Sequence, residues 1–239
     1  MKQFSRTELL IGKDGFEKLQ NSFVAVIGLG GVGAIAAESL VRTGVGKILL
    51  ADFDKISESN INRQLMALHS TVGQLKTDAL KKRFGDINPN LEIEIFSEFC
   101  SDETYEKILH NVDFVVDAID SLSPKADLIE YLYKNKIPFI SAMGAANRLD
   151  PSKIEICDIS KTNTCPLASR LRKYLRKRDI YKGFDVVYSF EKPLKKFVEE
   201  DNSMDRGRKR KTLGSIMYLP AIVGLFASSY VIRKIAELP

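Results

Sequence analysis

A doubly wound α/β fold with a mostly parallel sheet is predicted for this 239-residue chain on three observations. Short apolar runs alternate with amphipathic stretches up to about residue 145, as in successive strand–helix–strand units. The first of those runs opens into a glycine loop, VAVIGLGGVG, and the second ends on an acid, Asp52. The last stretch, IMYLPAIVGLFASSYVIRKIAEL, is the most apolar of all and suits a closing helix.

Taken in order, residues 22–27 read as a buried strand entering a turn, 31–44 as the helix that follows, and 46–52 as a second strand. TVGQLKTDALKKRFGDINP, 71–89, is amphipathic and ends in Gly and Asn-Pro, which makes it a helix with a stop. LEIEIF, 91–96, alternates apolar and acidic residues as a half-buried strand does. A fourth strand is expected over 112–120, a helix over 123–136 and a fifth strand over 137–144. Beyond Gly144 a smaller C-terminal extension is expected within the same compact unit. Its parts are strands at 153–159 and 184–191, a basic helix at 166–179, an aperiodic exposed loop over 191–213, and the closing helix.

The apolar fraction, 44%, is enough for a buried core. Cys100, Cys157 and Cys165 form no CxxC pair, which excludes a disulfide framework and a cysteine zinc knuckle. With the polar start MKQFSRTELLIG they point to a reducing cytoplasm. The closing run from Ile216 to Ile232 has 17 residues, interrupted by Pro220 and Gly224. A membrane span needs about 20, so no stable span is expected. Charge is uneven: residues 161–213 hold 16 Lys/Arg against 7 Asp/Glu, and the rest hold 20 against 24. A neutral-to-acidic body with one basic segment suits a polyanionic partner, or merely a solubilising surface.

Gly28, Gly30 and Gly33 fit G-x-G-x-x-G, and Asp52 follows Gly33 by 19 residues. That spacing predicts a Rossmann-like nucleotide site, with phosphate on a helix amino terminus. The extra Gly31 leans away from the usual dehydrogenase loop. After Asp52 come Asn60, Asn62, Arg63 and Gln64, then Lys76. A nicotinamide enzyme has no evident use for that cluster. A triphosphate does, because its outer phosphates need positive donors beyond the helix dipole. DAID places Asp117 and Asp120 at a carboxyl strand end, where a carboxylate could hold Mg²⁺ on phosphates. Singly, Asn60 could be a helix cap, Lys76 a solvated face and Asp120 the cap of the next helix.

In that order and spacing, GLGGVG, D-x-D, S-N-I-N-R-Q, Lys76 and D-A-I-D resemble the ATP-binding domain of the ubiquitin-activating-enzyme superfamily. The resemblance implies ATP and Mg²⁺ as cofactors. Gly28, Gly30, Gly31 and Gly33 would take the phosphates, Asp52 the ribose, and Asn60, Arg63 and Lys76 the phosphates again. Asp120 would hold the metal. Arg6 resembles an arginine that reaches into the neighbouring subunit's site, which implies a homodimer. Residues 1–145 would thus be an adenylation region and 146–239 a substrate-binding and closing region.

The missing CxxC pairs depart from members that activate sulfur-carrier proteins. PLASRLRKYLRKRDIYKGFDVVYSFEKP and LGSIMYLPAIVGLFASSYVIRKI resemble instead the branch that dehydrates threonylcarbamoyladenosine in tRNA. That branch implies an acyl adenylate that closes to a cyclic form, tRNA as partner, and a cysteine-desulfurase or sulfur-acceptor system as a further one. Independently, a helical wheel puts Leu167, Leu171, Tyr174 and Leu175 on one face and Arg172, Lys173, Arg176 and Lys177 on the other. Such a cationic stripe suits a phosphate backbone. Cys165 beside Pro166 could accept an acyl group, although a lone loop cysteine is more often incidental and ring closure requires no protein nucleophile. Three alternatives stay open: adenylation of the C-terminal glycine of a ubiquitin-like sulfur carrier, a nicotinamide oxidoreductase, and a non-catalytic RNA-binding scaffold.

Overall fold

The computed structural model describes residues 3–194, 199–200 and 211–239. The chain runs through α1 (Ser5–Gln20), β1 (Phe23–Ile27), α2 (Gly33–Thr43), β2 (Lys47–Ala51), α3 (Lys76–Ile87) and β3 (Glu92–Phe96). It continues through α4 (Asp102–Ile108), β4 (Phe114–Asp117), α5 (Leu122–Lys134), β5 (Phe139–Ala142), β6 (Ile154–Asp158), α6 (Pro166–Arg176) and β7 (Asp185–Ser189). A two-residue antiparallel ladder, β8 (Glu199–Glu200) with β9 (Lys211–Thr212), precedes α7 (Tyr218–Ile235).

Seven strands form one sheet in the order β3-β2-β1-β4-β5-β7-β6. Every neighbouring pair is parallel except β6 with β7. The expected doubly wound sheet is thus present, and the C-terminal extension widens it by two strands. Alternation along β1 explains both cores: Val24 and Val26 face a layer with Leu40, Leu80, Phe84, Val223 and Val231, from α2, α3 and α7. Phe23, Ala25 and Ile27 face Tyr105, Leu128, Leu132, Leu171 and Leu175, from α4, α5 and α6. The order reverses between β1 and β4, which opens a crevice at their carboxyl ends.

The closing helix α7 is buried rather than membrane-borne: Leu219, Val223, Ala227 and Val231 are 2% exposed or less. Its Gly224 lies so close to α2 that a Cβ would sit 2.4 Å from the carbonyl oxygen of Val32. Among the described residues no helix is long and apolar enough to cross a membrane.

Several expectations need correction. α1 and α4 were not anticipated. The helix expected from residue 71 starts at Lys76, and the basic helix stops at Arg176. The exposed loop expected over 191–213 carries the β8–β9 ladder, and its part at 195–198 and 201–210, Arg206 to Arg210 included, lies outside the described residues.

Candidate active site

The glycine loop turns sharply out of β1 and into α2. Gly28 has φ +89°, and a Cβ there would lie 2.8 Å from the carbonyl oxygen of Ala118 at the end of β4. At Gly33 a Cβ would lie 1.8 Å from the Gly28 oxygen, so neither position admits a side chain. Gly31 is walled by the Arg63 carbonyl and by Pro220 of α7, 3.0 and 3.2 Å from such a Cβ. Gly30 differs. Its nearest neighbour on that side is Gln64 Nε2 at 4.0 Å, so its open face is where a phosphate can approach the backbone.

Asp52, just past β2, accepts the Leu29 N–H of the glycine loop at 2.7 Å and the Asp54 N–H at 2.8 Å. Carboxylate oxygens have about four lone-pair sites, which leaves acceptor capacity for ribose hydroxyls. Lys76, at the start of α3, is nearly buried and bridges Asp52 at 3.4 Å and Asp54 at 2.7 Å. The solvated-face reading of Lys76 therefore fails: an ammonium is held against two carboxylates just past the carboxyl end of β2.

The polar cluster is organised by its own backbone. In the turn Glu58–Asn60, Asn60 Oδ1 accepts the Ser57 N–H at 3.2 Å, and the Asn60 carbonyl accepts from Arg63 and Gln64. Asn60 thus completes the capping box of its turn, whose N-cap is Ser57, and its carbonyl sets the course of the next residues. Arg63, half-buried, donates Nη1 to the Ser59 carbonyl at 2.7 Å and to Asn62 Oδ1 at 2.9 Å. No carboxylate pairs with it among the described residues. The sequence assigns Gln64 no role of its own. It is buried, with Oε1 unpartnered and Nε2 toward Gly30. Its place in the cluster was the only available signal.

Across the crevice the two DAID carboxylates separate. Asp117 is fully buried, 2.8 Å from the fully buried Nζ of Lys125, and accepts Ser141 Oγ at 2.6 Å and the Ile119 N–H at 3.1 Å. It is thereby removed as a metal ligand. Lys125 Nζ also donates to the Ile119 carbonyl at 2.9 Å and so holds the turn that presents Asp120. Asp120 is exposed at the carboxyl edge, where its Oδ1 accepts the neighbouring Ser121 Oγ at 3.2 Å. The described residues contain no group of three His, Cys, Asp or Glu able to cage a cation. A single open carboxylate fits Mg²⁺, which shares its sphere with phosphates and water.

Arg6 is not brought to this site. α1 kinks at Gly12, Phe4 packs against Phe16 with its ring tilted, and Phe16 lies under Gly44, before β2 and hence at the opposite edge of the sheet. Arg6 is exposed there, beside Leu9 and Leu10, which are 82% and 85% exposed. Cys100, in the loop after β3, is buried near Asp52; burial and then that charge push its thiol up to about 12. Cys165 is buried at the start of α6.

α6 begins at the carboxyl edge of the sheet, where Leu167 meets Gly144 after β5. It buries Ala168, Leu171 and Leu175. Lys173, Arg176 and Lys177 are exposed as expected, and Arg170 joins them. Two expectations fail. Arg172 is half-buried, with Nη1 donating to the Thr162 carbonyl at 3.0 Å and to its hydroxyl, and Tyr174 is 43% exposed.

The whole chain has known counterparts. It is 46% identical over 241 residues to the tRNA threonylcarbamoyladenosine dehydratase of Bacillus subtilis, covering 98% of this chain and 95% of that one. The Escherichia coli tRNA N6-threonylcarbamoyladenosine dehydratase, crystallised with ATP, superposes with a TM-score of 0.88 at 33% identity, over 98% of this chain and 94% of that one. The molybdopterin-synthase adenylyltransferase of Salmonella typhimurium is 35% identical over 152 residues, 63% of this chain and 60% of that one. The model of the ThiF family matches residues 4–239, and the chain belongs to that family.

Proposed function

We propose that this protein uses ATP to dehydrate threonylcarbamoyladenosine in tRNA to its cyclic form, through an acyl adenylate. One observation carries the choice of substrate. Similarity to dehydratases of that name spans both halves of the chain, whereas similarity to a molybdopterin-synthase adenylyltransferase spans 63% of it.

The glycine loop and the amino terminus of α2 receive the phosphates, with the open face of Gly30 as the point of approach. Asp52 takes the ribose. Asn60 donates its amide to the outer phosphates and Arg63 and Lys76 neutralise them, Lys76 exchanging its contact with Asp54 for phosphate oxygen as ATP enters. Asp120 would hold Mg²⁺, whose charge favours departure of pyrophosphate. The substrate carboxylate attacks the α-phosphorus, the bond to the β-phosphate oxygen breaks, and pyrophosphate leaves. A nitrogen or oxygen of the same modification then attacks the activated acyl carbon, and AMP departs as the ring closes. Alignment and charge neutralisation do the work, so no protein nucleophile is needed. Cys165, buried, is left without a covalent role.

The tRNA backbone docks on Arg170, Lys173, Arg176 and Lys177, which project from a helix that starts at the catalytic edge. A second copy of the chain completes the site. Arg6 stands far from its own glycine loop, next to two outward leucines that suit a subunit contact.

The test is pyrophosphate release with tRNA carrying or lacking the modification. Release that depends on the modified tRNA and on ATP with Mg²⁺ is expected. Stimulation by a sulfur-carrier protein but not by tRNA, or tight NAD binding without ATP competition, overturns the proposal. For the dimer, mixed Arg6→Ala and Asp120→Ala subunits should regain activity through one hybrid site; inactive verified heterodimers refute the shared site.

A further inference from the structure

The loops that leave β5 and β7 at the catalytic edge are tied by a reciprocal clasp between residues 43 positions apart. Arg148 reaches across with its side chain: Nε donates to the Glu191 carbonyl at 3.1 Å, and Nη1 to the carbonyls of Gly144 at 2.6 Å and Ala146 at 3.3 Å. Glu191 reaches back with its own, its carboxylate accepting the N–H groups of Leu149 at 3.0 Å and Asp150 at 2.9 Å. Each side chain thus satisfies the other loop's backbone.

Both ends of this clasp touch the start of α6. Gly144, whose carbonyl Arg148 holds, packs against Leu167. Phe190, the neighbour of Glu191, accepts Thr164 Oγ1 at 2.8 Å. The same turn also holds the described flanks of the basic segment between β7 and α7. The Asn147 carbonyl accepts Leu194 N at 2.7 Å, and the Asn147 N–H donates to the Gly214 carbonyl at 2.8 Å.

Stability alone does not account for an arginine here. Arg148 is only 4% exposed, its Nη2 is buried without a partner, and no carboxylate pairs with it among the described residues. An uncompensated buried cation is costly, and an apolar side chain of similar volume would fill the space more cheaply. What the guanidinium supplies is a rigid fork that joins three carbonyls from two loops.

We propose that Arg148 and Glu191 are positioning residues for the tRNA substrate: their clasp registers α6, with its cationic face, against the edge where the acyl adenylate forms. The inference rests on the tRNA reading above. A loosened clasp leaves ATP contacts intact, because those come from the loops after β1, β2 and β4. It lets the cationic face drift relative to the reacting carboxylate, and misplacements on the order of 1 Å cost up to about 100-fold.

The experiment compares Arg148→Met, Arg148→Lys, Glu191→Ala and Glu191→Gln in steady-state pyrophosphate release, varying modified tRNA and ATP separately. Arg148→Met and Glu191→Ala should lower kcat/KM for tRNA roughly 10- to 100-fold, with the KM for ATP within about twofold of the parent. Arg148→Lys should recover part of the loss, and Glu191→Gln, which keeps an acceptor oxygen, most of it. Should Arg148→Met fail to fold, the half-exposed Glu191→Ala carries the test alone. A kcat/KM for tRNA that stays put, or that falls in step with a rise in the KM for ATP, overturns the clasp while leaving the function standing. A parent protein with no tRNA-dependent release overturns the function, and the clasp's role with it.

Discussion

Lys125→Met is the sharpest test of how the site is built. The substitution removes an ammonium that is 0% exposed from a carboxylate that is also 0% exposed, 2.8 Å away. Stripping one partner from such a pair costs about 3–5 kcal/mol, because the remaining charge stays buried. Asp117 keeps Ser141 Oγ at 2.6 Å and the Ile119 N–H at 3.1 Å, which places the loss near the lower end, about 3 kcal/mol. In a domain of this size each kcal/mol moves Tm by about 2–4 °C, so a fall of about 6–12 °C is expected, with a matching shift in the urea midpoint. Adding Asp117→Asn removes the orphaned charge and should return more than half of that loss. Because Lys125 also holds the Ile119 carbonyl, ATP affinity measured well below the melting range should fall too, as the Asp120 turn loosens. A loss under about 1 kcal/mol, or a double variant less stable than Lys125→Met alone, would refute the reasoning.

Further outcomes follow from other contacts. Gly30→Ala should fold normally and lose ATP affinity in titration calorimetry, whereas Gly33→Ala should fail to fold, its Cβ lying 1.8 Å from the Gly28 oxygen; equal behaviour of the two refutes the open-face assignment. In α6, changing Lys173, Arg176 and Lys177 together to Gln should flatten the slope of log affinity against log salt for tRNA by about 2 to 3, while Arg172→Gln lowers Tm and leaves that slope alone. Glu38 links α2 to α3; burial alone would raise its pKa, but hydrogen bonds from Arg83 and Arg42 outweigh that and hold it below 4.5. Its contribution is therefore complete above the unfolded pKa and lost as pH falls through the lowered folded value, so Arg83→Met should shrink the acid-side loss of stability in urea titrations between pH 6 and pH 3. With its thiol near 12, Cys100 is about one part in ten thousand thiolate at pH 8. Alkylation followed by mass spectrometry should modify it only across the unfolding transition, and labelling of the folded protein would contradict its burial.

The sheet, the glycine loop and the closing helix were legible because each has a periodicity or spacing that the backbone imposes. α1 was not. Leu9 and Leu10 point outward and Gly12 breaks the helix, so no stripe faces a core of its own chain. α4 spans seven residues, too few for a period of 3.6 to register. Within the site, residue types were legible but their states were not. Asp117 and Asp120 look alike in DAID; Lys125 in the next helix and Ser141 on the next strand decide that one is buried. A lysine beside Ala126, Leu128 and Ile129 was the available hint. Arg172 has the right phase for the cationic face, and only the position of Thr162 shows that it is occupied. Arg148 and Glu191 left no mark at all, since a side chain that serves a distant backbone has no sequence period.

The wall that Pro220 and Gly224 build against Gly31 and Val32 has a consequence during synthesis. Those residues leave the ribosome about 190 positions after the loop that they support, an interval of roughly 10–40 s at ordinary elongation rates. Over that interval α2 can pack on β1 and α3, but the side of it that α7 will cover stays open, so a chaperone or a loose collapse must shield that side. Nucleotide cannot serve as an early template for the nascent amino-terminal half, because its phosphate cradle acquires a back wall only when α7 docks. A ribosome stalled before residue 220 should therefore display a chain that does not retain ATP, and release of the stall should bring nucleotide capture and compaction together.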